Sequence, residues 1–207
     1  EFLLEPLSSK DRIYPFELIS QCFDYDNAFN LVKLTECAYY IGLDFALSGE
    51  AGADYTVYTI LAKKGDILRV VNIERYKGLN YQAQKARIKQ LADIFKPVKV
   101  VADEGSFGKS FISDLLQDSI PVEGFRFTNQ SKQDLHTNLR NLFEQKRLFI
   151  NMDQTDLKTK TLTSTLVTEL LSFGVVWDEQ KLVVKFEGTG EHDDMVTSLA
   201  LAGWAAR

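Results

Sequence analysis

Carboxylates stand at the ends of two predicted strands, where a sheet would bring them together. Asp44 closes the apolar run of residues 40–43, and Asp103 closes a second run, residues 98–102, which is rich in valine. A charge at the end of a buried strand is costly unless it is paired or binds a cation. Because ligands of α/β sheets collect at the carboxyl ends of strands, both carboxylates are expected at one edge of the sheet.

A third acidic segment, residues 191–194, stands at the start of the last predicted helix. The stripe of this helix that is expected to face the sheet comprises Val196, Leu199, Ala200 and Gly203. Asp193 stands three residues before Val196 and continues the stripe, whereas Asp194 lies to its side. Asp193 is therefore predicted to be the inward ligand, with Asp194 as a neighbour that can also bind. The alternative for both is to stabilise the positive end of the helix dipole without a metal.

Carboxylates grouped in this way favour hard divalent cations. The sequence has only two histidines, and its two cysteines, Cys22 and Cys37, lack metal-ligand spacing. Mg²⁺ or Mn²⁺ is therefore favoured over zinc. Two such ions suit in-line attack of water on a phosphodiester, one activating the nucleophile and the other stabilising the leaving oxygen. The predicted metal ligands and catalytic residues are Asp44, Asp103, Asp193 and Asp194.

Other polar residues near these segments are candidates for supporting roles. His192 could orient a carboxylate or carry protons, and Asp54 could help to hold a metal or its water. Glu104 could substitute for its neighbour Asp103, although alternation along the strand would turn it away. The simpler alternatives are a polar helix start for His192 and a turn residue for Asp54. Most surface cations are merely solvated, but three are candidates for contacts with DNA phosphates: Lys109, Lys132 and Arg140.

Hydrophobic periodicity and turn residues predict the elements that position these side chains. Gly65 and Asp66 are expected to form the turn of a hairpin, and Ser131 is expected to be a helix N-cap. Strands are predicted over residues 39–47, 54–64, 66–76, 98–103, 121–127 and 148–152, with a later hairpin over 175–187. Helices are predicted over residues 79–95, 107–118, 131–146, 156–173 and 192–206.

This order of elements predicts one α/β domain. An antiparallel start followed by βα units gives a mixed central sheet with helices on both faces, as in an RNase H-like fold. Residues 39–207 are expected to form the domain. Residues 1–38 mix aromatic residues with Pro6 and Pro15 and show no sustained period, so they are predicted to be a lead-in or linker.

The bulk composition limits the possible functions. The 207 residues include 45% hydrophobic ones, which is enough to bury one sizeable core. No apolar run approaches the length that crosses a bilayer, and neither a signal peptide nor a disulfide framework is recognised, so secretion is not expected. The net charge of −5 argues against binding nucleic acid by bulk charge, although metals at carboxylates would reverse the local sign.

Three segments resemble the acidic motifs of the nuclease domain of phage large terminase subunits: IGLDFALSGEAGADYT, VVADEGSFGKSFISDLL and GEHDDMVTSLALA. The stretch SKQDLHTNLRNLFEQKRLFI is also similar, and the resemblance covers residues 39–206. It implies an RNase H-like fold, two divalent ions and cleavage of concatemeric phage DNA during genome packaging in the host cytoplasm. By motif, Asp44 is the metal ligand of the first segment, Asp103 of the second, and Asp193 with Asp194 of the third.

The resemblance also implies partners. Double-stranded DNA would be the substrate, and the ATPase domain of the full-length subunit, the portal and the small terminase would be protein partners. The lead-in FLLEPL resembles the connection from that ATPase domain. GSFGKS is not a phosphate-binding loop, because Asp103 stands where its first glycine is needed. The domain is therefore expected to cut DNA but not to translocate it.

The residues leave several other functions open. A junction resolvase, a transposase-type strand transferase or a ribonuclease H would use the same fold and carboxylates, and a ribonuclease H would need a hybrid with 2′-hydroxyls. An actin-like or sugar-kinase ATPase half also starts with a strand, an aspartate and a turn. That fold requires glycine-rich phosphate turns, which the sequence lacks. A non-catalytic assembly module is the remaining alternative.

Overall fold

The computed structural model describes residues 12–26, 29–46, 55–105, 108–178, 183–188, 190 and 192–207. The strands in these ranges are β1 Phe23–Asp24, β2 Ala38–Asp44, β3 Tyr55–Lys64, β4 Ile67–Lys77, β5 Lys99–Asp103, β6 Val122–Phe125, β7 Leu148–Asn151, β8 Phe173–Asp178 and β9 Val183–Gly188. The helices are α1 Phe16–Ile19, α2 Tyr81–Phe95, α3 Gly108–Gln117, α4 Asn129–Glu144, α5 Leu157–Ser172 and α6 Asp194–Ala205.

A seven-stranded mixed sheet lies at the centre, in the order β1-β7-β4-β3-β2-β5-β6. β3 is antiparallel to its neighbours β2 and β4, and the remaining pairs are parallel. Gly65 and Asp66 form the two-residue turn between β3 and β4, as predicted, and the φ of 59° at Gly65 favours glycine. The predicted mixed sheet is confirmed.

Helices cover both faces of this sheet and create two apolar cores. One core joins α1, α4, α5 and α6 to one face, and the other joins α2 and α3 to the opposite face. Successive residues of a strand alternate between the cores, as Val57 and Tyr58 do in β3 and Val101 and Val100 do in β5. Each fully buried valine or leucine side chain contributes roughly 1.5–3 kcal/mol to stability.

The starts of the helices follow from short polar residues. Asn80 caps α2 by accepting the N–H of Ala83 at 2.9 Å. The sequence predicted Ser131 as the N-cap of α4. In the structure the N-cap is Thr128, and Ser131 is the third residue of the helix. The Thr128 hydroxyl accepts the N–H of Ser131 at 3.1 Å, and Ser131 Oγ accepts the N–H of Thr128 at 2.8 Å. This reciprocal capping box starts the helix earlier than predicted, because it satisfies two unpaired N–H groups.

Residues of the predicted lead-in contribute to the fold. Residues 1–11 and 27–28 of that segment lie outside the described ranges. Within its described part, β1 pairs with β7 at the edge of the sheet, and Tyr14, Ile19 and Cys22 are fully buried in the core. Periodicity does not reveal these elements, because pieces of two to four residues are shorter than the window in which a period can be read.

β8 and β9 form a separate two-stranded antiparallel sheet, which confirms the predicted hairpin. The residues that join the two strands, 179–182, lie outside the described ranges. No helix in the described part of the chain is both long and apolar enough to cross a bilayer.

Candidate metal centre

Asp44 and Asp103 end neighbouring parallel strands. The register of β2 and β5 pairs Gly42 with Val101 and Leu43 with Ala102. Asp44 and Asp103 are the next residue on each strand. The structure therefore brings the first two predicted site residues to the same edge of the sheet, side by side.

The surroundings of Asp103 disfavour its charged form. Burial raises the pKa of Asp103 above its ordinary value, the N–H of Gly105 lowers it, and the charge of Glu104 raises it again. The Gly105 N–H donates to Asp103 Oδ1 at 2.9 Å and so fixes the orientation of the carboxylate. A divalent cation beside this group would stabilise its charged form.

Helix α6 crosses β2 at Gly42. A Cβ atom on Gly42 would collide with the carbonyl oxygen of Ser198 and the amide nitrogen of Ala202, so glycine is required for this close approach. Ser198 Oγ bonds the Gly42 carbonyl at 3.0 Å and Thr59 Oγ1 at 2.9 Å. The face of α6 on the sheet therefore contains Ser198 and Ala202, and Asp194 is the preceding member of this i, i+4 row.

Asp194 is consequently the carboxylate that α6 directs at the sheet. It is 6% exposed, and its Oδ2 accepts the N–H of Tyr55, at the start of β3, at 3.3 Å. Tyr55 stands two residues before Val57, the partner of Asp44 in the β2–β3 ladder. Asp194 thus approaches the end of β2 from the helix side of the sheet.

Asp193 faces elsewhere, and the predicted phase of α6 is wrong. Asp193 precedes the helix; its Oδ2 accepts the N–H of Gly188 at 3.3 Å and lies 3.8 Å from Nζ of Lys132. Gly203, a member of the predicted sheet-facing stripe, lies against Leu142 of α4 instead. The stripe was misplaced because the helix is apolar all round, so its hydrophobic pattern does not identify the face on the sheet.

His192 lies beside Asp194. Its Nδ1 atom is 3.6 Å from Asp194 Oδ2, and its ring packs edge-on against the Tyr55 ring with centroids 4.9 Å apart. This distance exceeds that of a hydrogen bond, so the pair interacts by charge when the imidazole is protonated. The position is compatible with the predicted role of orienting a carboxylate.

Glu104 is not brought into this group. The Cβ and Cγ atoms of Glu104 lie against Gly124 of β6, whereas Asp44 lies on the other side of β5, in β2. Alternation predicted this orientation. Lys109 lines the same cleft as Glu104, beside α3. Asp54 lies outside the described residues.

The other two predicted DNA-contacting residues differ in position. Lys132, in the first turn of α4, reaches Asp193 and so lies at the carboxylate edge. Arg140, two turns later, donates to Glu144 Oε1 at 2.7 Å and to the carbonyl of Ile13 at 3.0 Å. These contacts hold α4 against the segment that precedes α1, so the structure gives Arg140 a packing role and leaves Lys132 near the site.

Sequence reasoning missed two charged residues behind α6. Oε2 of Glu169, in α5, accepts the N–H of Met195 at 2.8 Å and that of Val196 at 3.3 Å. Nη2 of Arg75, in β4, lies 3.5 Å from Glu169 Oε1. The Arg75 guanidinium also stacks 3.5 Å from the centre of the Tyr55 ring, a favourable cation–π contact.

A signal for Glu169 was present in the sequence. Glu169 stands three residues after Leu166 and next to Leu170, two fully buried residues of α5. A carboxylate on the apolar side of a helix needs a partner. Burial raises the pKa of Glu169 to about 7, although the Met195 N–H and the Arg75 charge lower it.

The donor set at this edge suits a hard divalent cation. Asp44, Asp103 and Asp194 come from two strands and a helix and offer carboxylate oxygens, the donors that Mg²⁺ and Mn²⁺ prefer. In the described part of the chain, no three His, Cys, Asp or Glu side chains already form a metal-binding group. The backbone thus places the candidate ligands, and a bound cation would draw the side chains together.

The sheet order, with a helix laid across the central strands and carboxylates at their ends, defines an RNase H-like protein. Residues 41–203 match the family model described as the terminase RNaseH-like domain. The chain belongs to this family. The resemblance carried by the three acidic motifs is thereby confirmed.

Curated relatives agree with this assignment. The large terminase subunits of Thermus virus P23-45 and Thermus phage G20c are each 29% identical to the chain over 171 residues. The alignments cover 79% of this chain and 31% of each relative. The chain therefore spans less than a third of the length of these relatives.

Solved structures share the fold. The large terminase nuclease of phage G20c with bound magnesium superposes with a TM-score of 0.77 at 22% identity, over 95% of this chain and 98% of that one. The Thermus phage P74-26 nuclease domain gives 0.72 at 23% identity, over 93% and 94%. The HK97 large terminase gives 0.66 at 16% identity, over 95% of this chain and 43% of that one.

Proposed function

We propose that this domain is an endonuclease that hydrolyses double-stranded DNA with two divalent ions, Mg²⁺ or Mn²⁺, and cuts concatemers during phage genome packaging. The observation that carries the proposal is the placement of Asp44 and Asp103 at the ends of adjacent parallel strands, with Asp194 directed at the same edge. Family membership adds the terminase context, and the related G20c nuclease was solved with magnesium and with cobalt.

Each carboxylate has a distinct part in this proposal. Asp44, Asp103 and Asp194 would hold the two ions, with Asp193 acting nearby. Bound divalent ions would supply an activated water and stabilise the leaving oxygen. The Gly105 N–H orients Asp103, the Tyr55 N–H orients Asp194, and the His192 ring lies beside Asp194.

The substrate and partners follow from the terminase context. A domain of net charge −5 is expected to bind DNA weakly and without sequence preference, so delivery by other components is part of the proposal. These are the ATPase domain of the full-length subunit, the portal and the small terminase, in the host cytoplasm. Of the predicted residues, Lys132 is the one best placed to contact a phosphate near the site, whereas Lys109 lines a separate cleft with Glu104.

The decisive experiment compares substrates and metals. Plasmid DNA, branched DNA and an RNA–DNA hybrid are incubated with the domain in Mn²⁺, in Mg²⁺ and in excess chelator. Plasmid cleavage that requires the metal is expected. Undiminished cutting in chelator would remove the metal mechanism. Selective cutting of branched DNA would indicate a junction resolvase, and selective cutting of the hybrid would indicate a ribonuclease H.

A further inference from the structure

The first turn of α6 has no side-chain cap of its own. Asp193 occupies the N-cap position without a side-chain capping hydrogen bond, because its carboxylate bonds Gly188 instead. The first N–H groups of a helix lack partners within the helix. Asp194 is the first residue of α6. If this turn opens, a candidate metal ligand therefore changes position.

Glu169 supplies the missing cap from another helix. Its Oε2 accepts the N–H groups of Met195 and Val196, the two residues after Asp194. When Glu169 is ionised, its negative charge also lies at the positive end of the α6 dipole. Glu169 is 5% exposed, so water does not screen this contact. The carboxylate therefore stabilises the first turn of α6 more than an exposed carboxylate would.

Arg75 and Tyr55 connect the cap back to Asp194. Arg75 lies between Glu169 and the Tyr55 ring, 3.5 Å from each, and the Tyr55 N–H donates to Asp194 Oδ2. Glu169 is therefore connected to Asp194 in two ways. One is the series of contacts through Arg75 and Tyr55, and the other is the first turn of α6, whose N–H groups Glu169 accepts. Asp194 is held on its backbone side by Glu169 and on its side-chain side by Tyr55.

We propose that Glu169 is a positioning residue for the metal centre, which caps α6 from outside and so fixes Asp194 against the end of β2. The proposal rests on the proposed nuclease function. Residues that support a metal ligand commonly change metal affinity about 10- to 100-fold when they are lost. Removal of Glu169 should therefore raise the metal concentration needed for cleavage, and this effect should exceed what the loss of stability alone would cause.

The substitutions Glu169→Ala and Glu169→Gln separate the cap from the charge. Alanine removes both. Glutamine keeps one oxygen to accept the α6 N–H groups but presents an amide to Arg75 in place of a carboxylate. Leu166→Ala is the matched control, because Leu166 is fully buried in the same helix and none of the hydrogen bonds to the first turn of α6 involves it. It should destabilise the domain without changing that turn.

The first measurement needs no metal. Amide hydrogen exchange of Met195 and Val196 is recorded by NMR and divided by that of Leu91, in α2, so that global unfolding cancels. Glu169→Ala should raise this ratio about tenfold or more, since an open cap exposes both N–H groups. Glu169→Gln should stay within about threefold of the parent protein, and Leu166→Ala should leave the ratio unchanged.

The second measurement is the Mn²⁺ concentration that gives half-maximal plasmid cleavage, well below the melting temperature of every variant. Glu169→Ala should raise it about tenfold or more, with partial recovery in Glu169→Gln and no change in Leu166→Ala. Parent-like exchange and metal response in Glu169→Ala would overturn the positioning role while leaving the nuclease function intact. A parent protein that does not cut with Mn²⁺ would overturn the function, and the exchange ratios would still decide the cap.

Discussion

A buried carboxylate, Glu74, and a half-buried one, Asp103, differ in how their charge is balanced on this sheet. Glu74, on β4, is 3% exposed and receives hydrogen bonds from Arg87 at 2.6 Å, Tyr76 at 2.9 Å and Asn72 at 3.1 Å. Burial raises its pKa, but the hydrogen bonds and charge of Arg87 outweigh burial, so the pKa of Glu74 is lowered. Side chains of the protein therefore stabilise the charged form of Glu74.

Asp103 shows the opposite balance. Burial is the largest influence and raises its pKa, while the single N–H of Gly105 only partly offsets it. The contrast is consistent with a structural role for Glu74 and with the metal-binding role proposed for Asp103. Substitutions at the two positions should therefore affect different properties.

Asp103→Asn should give the largest effect on cleavage. A lost metal ligand removes several kcal/mol of transition-state stabilisation, so the rate should fall by about 10³-fold or more. The melting temperature without metal should be equal or higher, because the substitution removes a charge that burial disfavours. The same result is expected for Asp44→Asn. Cleavage assays and thermal melts in chelator check this; a large loss of apo stability would make either aspartate a structural turn residue.

Asp194→Ala and Asp193→Ala should differ in their effect on the cleavage rate. Asp194 faces the sheet, whereas Asp193 contacts Gly188 and Lys132. Asp194→Ala should reduce the rate about 100-fold or more, and Asp193→Ala about tenfold or less. Single-turnover cleavage in saturating Mn²⁺ measures both rates. A larger loss in Asp193→Ala would mean that metal binding reorients the first turn of α6.

Glu74→Gln should affect stability and not cleavage. Removing the charge of the buried Glu74 leaves Arg87 uncompensated, so the free energy of unfolding should fall by about 3–5 kcal/mol. Urea unfolding measures the change, and the metal response should match that of the parent. The control is Glu36→Gln, which breaks an exposed pair with Lys64 and should barely alter stability. A changed metal response in Glu74→Gln would contradict a purely structural role for Glu74.

His136 gives a smaller, pH-dependent effect. It is fully buried, and burial, followed by the charge of Lys132, lowers its pKa from 6.5 to about 3. Below about pH 6.5 the unfolded chain binds a proton that the folded chain does not, so stability falls as pH drops toward 3. This group should remove about 2 kcal/mol between pH 7 and pH 5, at about 1.4 kcal/mol per unit.

His136→Phe should flatten that pH dependence. The variant lacks the titrating ring, so the difference in unfolding free energy between it and the parent should shrink as the pH falls. His192→Gln is the control, because the sequence has only these two histidines. An unchanged slope in His136→Phe would show that other groups govern the acid response.

The sequence by itself determined the main elements and the meeting of Asp44 with Asp103. Apolar runs that end in aspartate predict buried strands with carboxylates at their ends, and parallel neighbours must place those ends at one edge. The Gly65–Asp66 turn and the alternating helices and strands are equally local signals, so they could be read without tertiary contacts.

Only the tertiary structure decided which carboxylate of α6 faces the sheet and what holds it there. The helix residues from Asp194 to Gly203 are all buried, so hydrophobic periodicity cannot distinguish its faces. The close approach of Ser198 and Ala202 to Gly42 sets the phase, and Glu169 reaches the first turn from 26 residues away in the chain. Such contacts depend on how helices pack across the sheet, which no local pattern of residues encodes.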